Sequence, residues 1–372
     1  MEGASRTVAT LPKAHLHLHF TGSMRARTLR DLADKHGIRL PETLREHHLV
    51  RLTPDERGWF RFQRLYDAAR ACVRDEQDMR RIVLEAAEDD AAEGSGRLEL
   101  QVDPTSYAPF VGGLTPALEI VLDAAREASR TTSCQVAIVV AASRIRHPLD
   151  ARTLARLAAR YAGDGPGQVI GFGLSNDERR GQTDEFAAAF RIAARAGLLS
   201  VPHSGELLGA DHVRTTLDTL GPARLGHGVR SGEDPAVLDR VVRHGITLEV
   251  CPASNVALGV YPTEHAVPLR ALLEAGARVS LGADDPLLFG SRLAAQYESA
   301  RRVHGLDDAQ LAQLARYSIE GSAAPPEVAD RLLAGVDDWL ATPPERPSAP
   351  AATLPDQRAQ PTSTGSGTRV TP

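Results

Sequence analysis

Three histidines at alternate positions, His15, His17 and His19, stand near the start of the chain. In a β-strand successive side chains point to opposite faces, so residues two apart share one. His17 and His19 would therefore project together, and His15 extends the same face by one step. Two imidazoles aimed at one point begin a zinc site. An isolated His-x-His pair also arises by chance in a chain with 13 histidines, so the remaining ligands must be found elsewhere. Candidates follow at His203, His227 and Asp284. Three histidines and one aspartate with an open position suit a catalytic zinc, whose charge lowers the pKa of bound water to about 7. A second carboxyl must then protonate the substrate, and Glu206 lies just past His203. His227 is placed to orient the hydroxide, and Asp285 to hydrogen-bond the substrate.

These groups need a frame that brings them together. Short apolar runs at 16–20, 97–102, 135–141, 168–174, 198–203, 224–228, 246–251 and 278–283 alternate with longer helical patterns. Most carry Val, Ile or Leu on successive residues, as parallel strands buried on both faces do. Amphipathic stretches at 182–196 and 234–244 are closed by Gly197 and Gly245, and Pro235 opens the second. Eight strands alternating with helices predict an α/β fold, a (β/α)8 TIM-type barrel with its site at the C-terminal strand ends. An open doubly wound sheet lacks support, because no Gly-rich phosphate loop follows the first strand. Extra helices are expected between strands one and two, where patterns at 24–36 and 59–72 could cover the barrel mouth. The expected division is an N-terminal segment 1–10, a barrel at 11–341 that carries the candidate zinc site, and a disordered tail rich in Pro, Ala, Ser and Thr at 342–372.

Composition removes several classes. The net charge is -5, which gives no electrostatic case for nucleic acid or an anionic membrane. Cys72, Cys134 and Cys251 are odd in number and show no C-x-x-C spacing, so no disulfide framework is expected. Neither a signal peptide nor a membrane span is legible, and a cytoplasmic location is expected. Cys251 reads as a buried strand residue, and His47 and His48 as surface residues.

The motifs in series resemble the adenosine deaminase family of the metal-dependent amidohydrolases. They are Pro12-Lys13 followed by His17-x-His19-x-x-Gly22, then His203-Ser204-Gly205-Glu206 and Leu225-Gly226-His227-Gly228. Cys251-Pro252-x-Ser254-Asn255 and Ser280-Leu281-x-x-Asp284-Asp285-Pro286 complete the set. The resemblance covers about residues 10–325, in the family's order. It implies one Zn2+ per subunit, held by His17, His19, His203 and Asp284. It implies that Glu206 protonates purine N1, that His227 and Asp284 position and deprotonate the attacking water, and that Asp285 contacts N7. The product would be a 6-oxo purine and ammonia. Other amidohydrolases bridge two metals with a modified lysine after the fourth strand. The run 174–176 offers none. A non-catalytic nucleoside-binding barrel would have lost a ligand or Glu206, and all are present.

Departures from the family pattern bear on the substrate. His15 replaces a usual glutamate and is expected one layer deeper in the barrel. Thr21 replaces the acidic residue that contacts a ribose 5′-hydroxyl. Asn176, in Gly173-Leu174-Ser175-Asn176-Asp177-Glu178, falls at the glycine whose backbone meets purine N3, and Gln101 replaces a usual arginine. The substrate-binding set implied is Asp285, Asn176, Thr21 and His19. Thr21 is smaller than a carboxylate and neutral, so the expected partner is a purine nucleoside enlarged at the 5′ carbon. Arg25 and Arg27, or Arg179 and Arg180, are candidates to pair with a carboxylate on that group. The chain is in this respect similar to 6-aminodeoxyfutalosine deaminases of menaquinone biosynthesis. Adenosine or deoxyadenosine is the alternative.

Overall fold

The computed structural model describes residues 6–343. The segment 1–5 and nearly all of the expected tail, 344–372, lie outside the described residues. Eight strands form one parallel sheet in sequential order: β1 (Lys13–His19), β2 (Ser95–Val102), β3 (Gln135–Ser143), β4 (Val169–Ser175), β5 (Leu199–Ser204), β6 (Arg224–His227), β7 (Thr247–Val250) and β8 (Arg278–Leu281). The sheet closes on itself just beyond β8. Asp284 N donates to His17 O and His19 N donates to Asp284 O, each at 3.0 Å. Each of the eight apolar runs lies on one of these strands. The fold is thus an eight-stranded parallel α/β barrel, as expected.

Strand residues divide by parity. Ala14, Leu16 and Leu18 join apolar clusters under the outer helices, as do Ile138 and Val140. Ala137, Val139, Ile170 and Val201 form a small separate cluster. The stretch 182–196 becomes a 3-10 turn (Thr183–Phe186) running into a helix (Ala187–Arg195). The helix Pro235–Arg243 starts as its proline suggested, with the Asp234 side chain accepting from Ala236 N.

Between β1 and β2 lie four helices: α1 (Ala26–His36), α2 (Glu42–Arg45), α3 (Glu56–Arg70) and α4 (Glu76–Ala92). Asp55 caps α3, and Asp75 and Asp78 form a reciprocal capping box on α4. One face of α3 turns to the barrel mouth. Phe62 stacks on Phe289 with ring centroids 5.6 Å apart. Leu52 N donates to Ala257 O at 2.7 Å and Val50 N to Leu288 O at 3.2 Å. No helix among the described residues is long and apolar enough to cross a membrane.

Candidate active site

β1 delivers His17 and His19 to the mouth, but its alternation is broken. Its register with β2 is irregular between His15 and Leu18. His15 does not extend the inward face: its Nδ1 lies 3.0 Å from both oxygens of Asp90 on α4, and its Nε2 accepts from Ala283 N at 3.1 Å. The ring ties the outer helix to the barrel seam, one layer out rather than one layer deeper. Period-two reasoning assumes an unbroken strand and could not see this.

The other histidines converge. His19 Nε2 lies 3.2 Å from both His203 Nε2 and Asp284 Oδ1, and His17 Nε2 lies 3.5 Å from the same oxygen. Ligand atoms about 2.0–2.1 Å from a tetrahedral zinc are about 3.3 Å apart, so these spacings fit such an ion. His17 Nε2 is buried and has no hydrogen-bond partner, a cost unless something binds it. Burial opposes a charge on His17, but Asp284 and Glu249 outweigh it and raise its pKa to about 10. Carboxylates here hold a positive charge in place, and a bound cation supplies one. His203 is instead kept neutral, by burial and then by the neighbouring histidines. The residues present fit a metal.

Around this cluster stand the groups for proton transfer. Glu206 Oε1 lies 3.4 Å from His227 Nε2, which lies 3.9 Å from Asp284 Oδ2. Burial, then Asp284 and Glu178, push the Glu206 carboxyl well above its usual range, which keeps it protonated. Burial lowers His227 to about 3, so it is a neutral base. Asp285 is raised well above its usual value by burial and by Asp284, and its Oδ1 has no partner. A carboxylic acid held neutral can donate a hydrogen bond. Ser254 Oγ donates to Asp284 Oδ2, and Asn255 Nδ2 lies 3.3 Å from His227 Nδ1.

Local backbone geometry explains the motifs. Among the described residues four non-glycine residues have positive φ: His47, Asn176, His227 and Asp284. The last three are candidate site residues, in line with strain being held at functional positions. A Cβ on Gly22 would stand 1.7 Å from Asp285 Oδ1, so only glycine lets that carboxyl approach. Glu178 accepts from the backbone N–H of Glu206, Leu207 and Leu208 at 2.8–3.2 Å and so fixes the turn that carries Glu206.

A cavity of about 780 Å³, counted with its open mouth, reaches His19, His203, Glu206, His227, Asp284, Asp285, Asn176 and Gln101. Thr21 is not among the lining residues. It is buried, and its hydroxyl lies 2.6 Å from that of Tyr107, which lines the cavity in its place. The four arginines proposed for an anionic substituent do not line it either. Arg25 is paired with Asp89 at 2.7 Å and Arg179 with Asp177 at 2.7 Å. The arginine that does is Arg70, on α3 with Trp59, Phe62, Gln63 and Tyr66. Sequence reasoning marked 59–72 as a helix over the mouth but assigned its residues no role. Their spacing of three, four, seven and eleven from Trp59 was the available signal. Cys251 is buried as expected but lies one residue past β7 rather than within a strand, and His47 and His48 are exposed, as expected.

Fold and site together define a barrel of the amidohydrolase type, with a histidine–carboxylate cluster that could hold a metal ion. The adenosine deaminase family profile matches residues 12–339, and the chain belongs to that family; it is an aminohydrolase. It is 64% identical over 341 residues to a Streptomyces coelicolor protein named "Putative adenosine/adenine deaminase", covering 90% of this chain and 98% of the relative. An adenine deaminase of Agrobacterium fabrum is 33% identical over 329 residues, covering 88% and 98%. The crystal structure of an adenine deaminase from Arthrobacter aurescens superposes with TM-score 0.81 at 29% identity, covering 89% of this chain and 99% of that one.

Proposed function

We propose that residues 11–341 form a zinc-dependent deaminase that hydrolyses the 6-amino group of adenosine, deoxyadenosine or adenine. The observation that carries this reading is a buried Glu206 carboxyl 3.4 Å from His227 Nε2, which stands 3.9 Å from Asp284 of the histidine–aspartate cluster. The names of the similar proteins support the same substrates.

His17, His19, His203 and Asp284 are the residues that would hold the ion. When bound, zinc lowers the pKa of a water and supplies hydroxide at neutral pH. The protein's own groups do the rest. Glu206 gives its proton to purine N1, which draws electrons from C6 and opens it to addition. His227 and Asp284 take the proton of the attacking water and return it to the amino group. The C6–N bond then breaks with its electron pair on nitrogen, and ammonia leaves. The hydroxyl proton left on C6 restores Glu206. Asp285 donates to N7, and the backbone at Asn176 faces N3. His19 borders both ion and substrate.

A second reading keeps this chemistry on a nucleoside with an enlarged, anionic 5′ group, such as 6-aminodeoxyfutalosine. The neutral Thr21 withdrawn behind Tyr107 favours it; Arg70 lines the cavity but is paired with Asp67 at 2.5 Å, so an anionic group would have to share it. Ammonia release from adenine, adenosine, 2′-deoxyadenosine and 6-aminodeoxyfutalosine, each with its kcat/KM, tests both. The first reading expects the highest value on adenine or one of the two simple nucleosides. A tenfold or greater preference for 6-aminodeoxyfutalosine replaces it with the second. No ammonia from any of the four overturns both.

A further inference from the structure

Beneath the site, the barrel bore holds four charged side chains that none of these steps uses. Arg97 and Glu99 on β2, Arg224 on β6 and Glu249 on β7 are buried to within 1%. They form an alternating ladder. Arg97 Nε donates to Glu99 Oε1 at 3.1 Å, and Arg224 Nη1 donates to Glu99 Oε2 at 2.5 Å. Arg224 Nε lies 2.7 Å from Glu249 Oε1. Glu249 Oε2 lies 2.8 Å from His17 Nδ1. The lower end is tied to the chain after the helix Asp308–Glu320: Arg97 donates to Ala323 O and Arg224 to Gly321 O, each at 3.0 Å, and Ala323 N donates to Glu99 at 2.7 Å.

Stability alone does not account for such an arrangement. A buried ion pair is often replaceable by apolar groups with little loss, because desolvation offsets most of the attraction. What the ladder does achieve is local. Arg224 compensates Glu249 on one oxygen and leaves the other for His17. Gln101 Nε2 also approaches His17 Nδ1, at 3.5 Å. The closer acceptor wins, so Nδ1 is the nitrogen that keeps a proton and Nε2 is the one left for a metal at the cluster. His203 has no such partner, since its Nδ1 is buried without a hydrogen bond.

We propose that the Arg97–Glu99–Arg224–Glu249 ladder is a positioning device for His17. It holds Glu249 as a charged acceptor, fixes the His17 tautomer and ring, and strengthens His17 as a metal ligand. The proposal rests on the metal reading above. The test is zinc affinity of the full chain, measured by chelator competition, with circular dichroism for the fold and the visible spectrum of the cobalt-loaded protein for the ligand field. Glu249→Gln keeps size and an acceptor oxygen but removes the charge. It should weaken zinc binding about 10–100-fold and shift the cobalt bands. Arg224→Lys, which touches neither His17 nor the cluster, should weaken it in the same direction by less. Should Glu249→Gln fail to fold, the double change Arg224→Met with Glu249→Leu replaces the pair by apolar groups and should show the same loss. A folded variant that binds zinc within twofold of the unaltered chain, with unchanged cobalt bands, overturns the ladder's role alone. An unaltered chain that binds no zinc overturns the metal reading, and the ladder's role with it.

Discussion

The two sides of the barrel wall differ in strand length and in what they turn inward. β2, β3 and β4 run 8, 9 and 7 residues, whereas β6, β7 and β8 run 4 each. The long side turns Ala137, Val139 and Ile170 into a small apolar cluster, sets Arg97 and Glu99 in the bore below the site, and lines the cavity with the non-ionisable Gln101, Ala141, Ser143 and Ser175. The short side, with β5, carries His203, Glu206, His227, Glu249 and Asp284. Where hydrogen-bonded pairing ends early, the backbone is free to leave the β region. His227 at φ 62°, the last residue of β6, and Asp284 at φ 61°, three residues past β8, do so, and on the long side only Asn176 among the described non-glycine residues, at φ 80° just past β4, does the same. The ionisable groups of the candidate site on this side stand where the sheet lets go of the chain, and the strands of the opposite wall line the cavity with uncharged side chains.

This contrast can be broken from either side. The largest effect is expected at Glu206. Glu206→Gln removes the N1 proton donor and should lower kcat by about 10²–10⁴-fold with zinc content unchanged. Steady-state kinetics with metal analysis checks it, and near-normal turnover would sink the assigned mechanism. On the long side the order reverses. Val139→Ala leaves a gap in a fully buried cluster and should cost roughly 2 kcal/mol in denaturant unfolding, with kcat/KM within twofold. A large activity loss there would show that the two walls are not separable.

The smallest effect concerns pH. His212 sits between Ser204 Oγ and Thr183 Oγ1, each at 3.0 Å, and burial and Arg144 lower its pKa to about 4. Unfolded, it takes its proton near 6.5. Between those values the unfolded chain binds more protons, so stability falls as pH drops from 6.5 to 4. His212→Asn should flatten that part of the stability–pH curve by up to one proton's slope. An unchanged slope would assign it to other groups.

Much of the fold was legible because its signals are local. Each apolar run needs only its own residues to read as a buried parallel strand. The spacing of His17 and His19 needs only the strand period. Motif order did the rest for His203, Glu206, His227, Asp284 and Asp285, since the ends of parallel barrel strands meet on one face whatever lies between them.

What required the tertiary structure depends on contacts between distant segments. The irregular β1 register turns His15 outward to Asp90, 75 residues away. Tyr107 covers Thr21 from 86 residues away and takes its place in the cavity. Arg25 is neutralised by Asp89, 64 residues away, which folding brings beside it, while Arg70, paired with its near neighbour Asp67, reaches the cavity from a helix across the mouth. The barrel closure also decides which buried carboxylate faces His17, across 232 residues. Residue types and periodicity determined that this chain would gather imidazoles and carboxylates at a barrel mouth. Which partner each one meets, and which charge is left over for a substrate, was decided only when strands far apart in the chain came side by side.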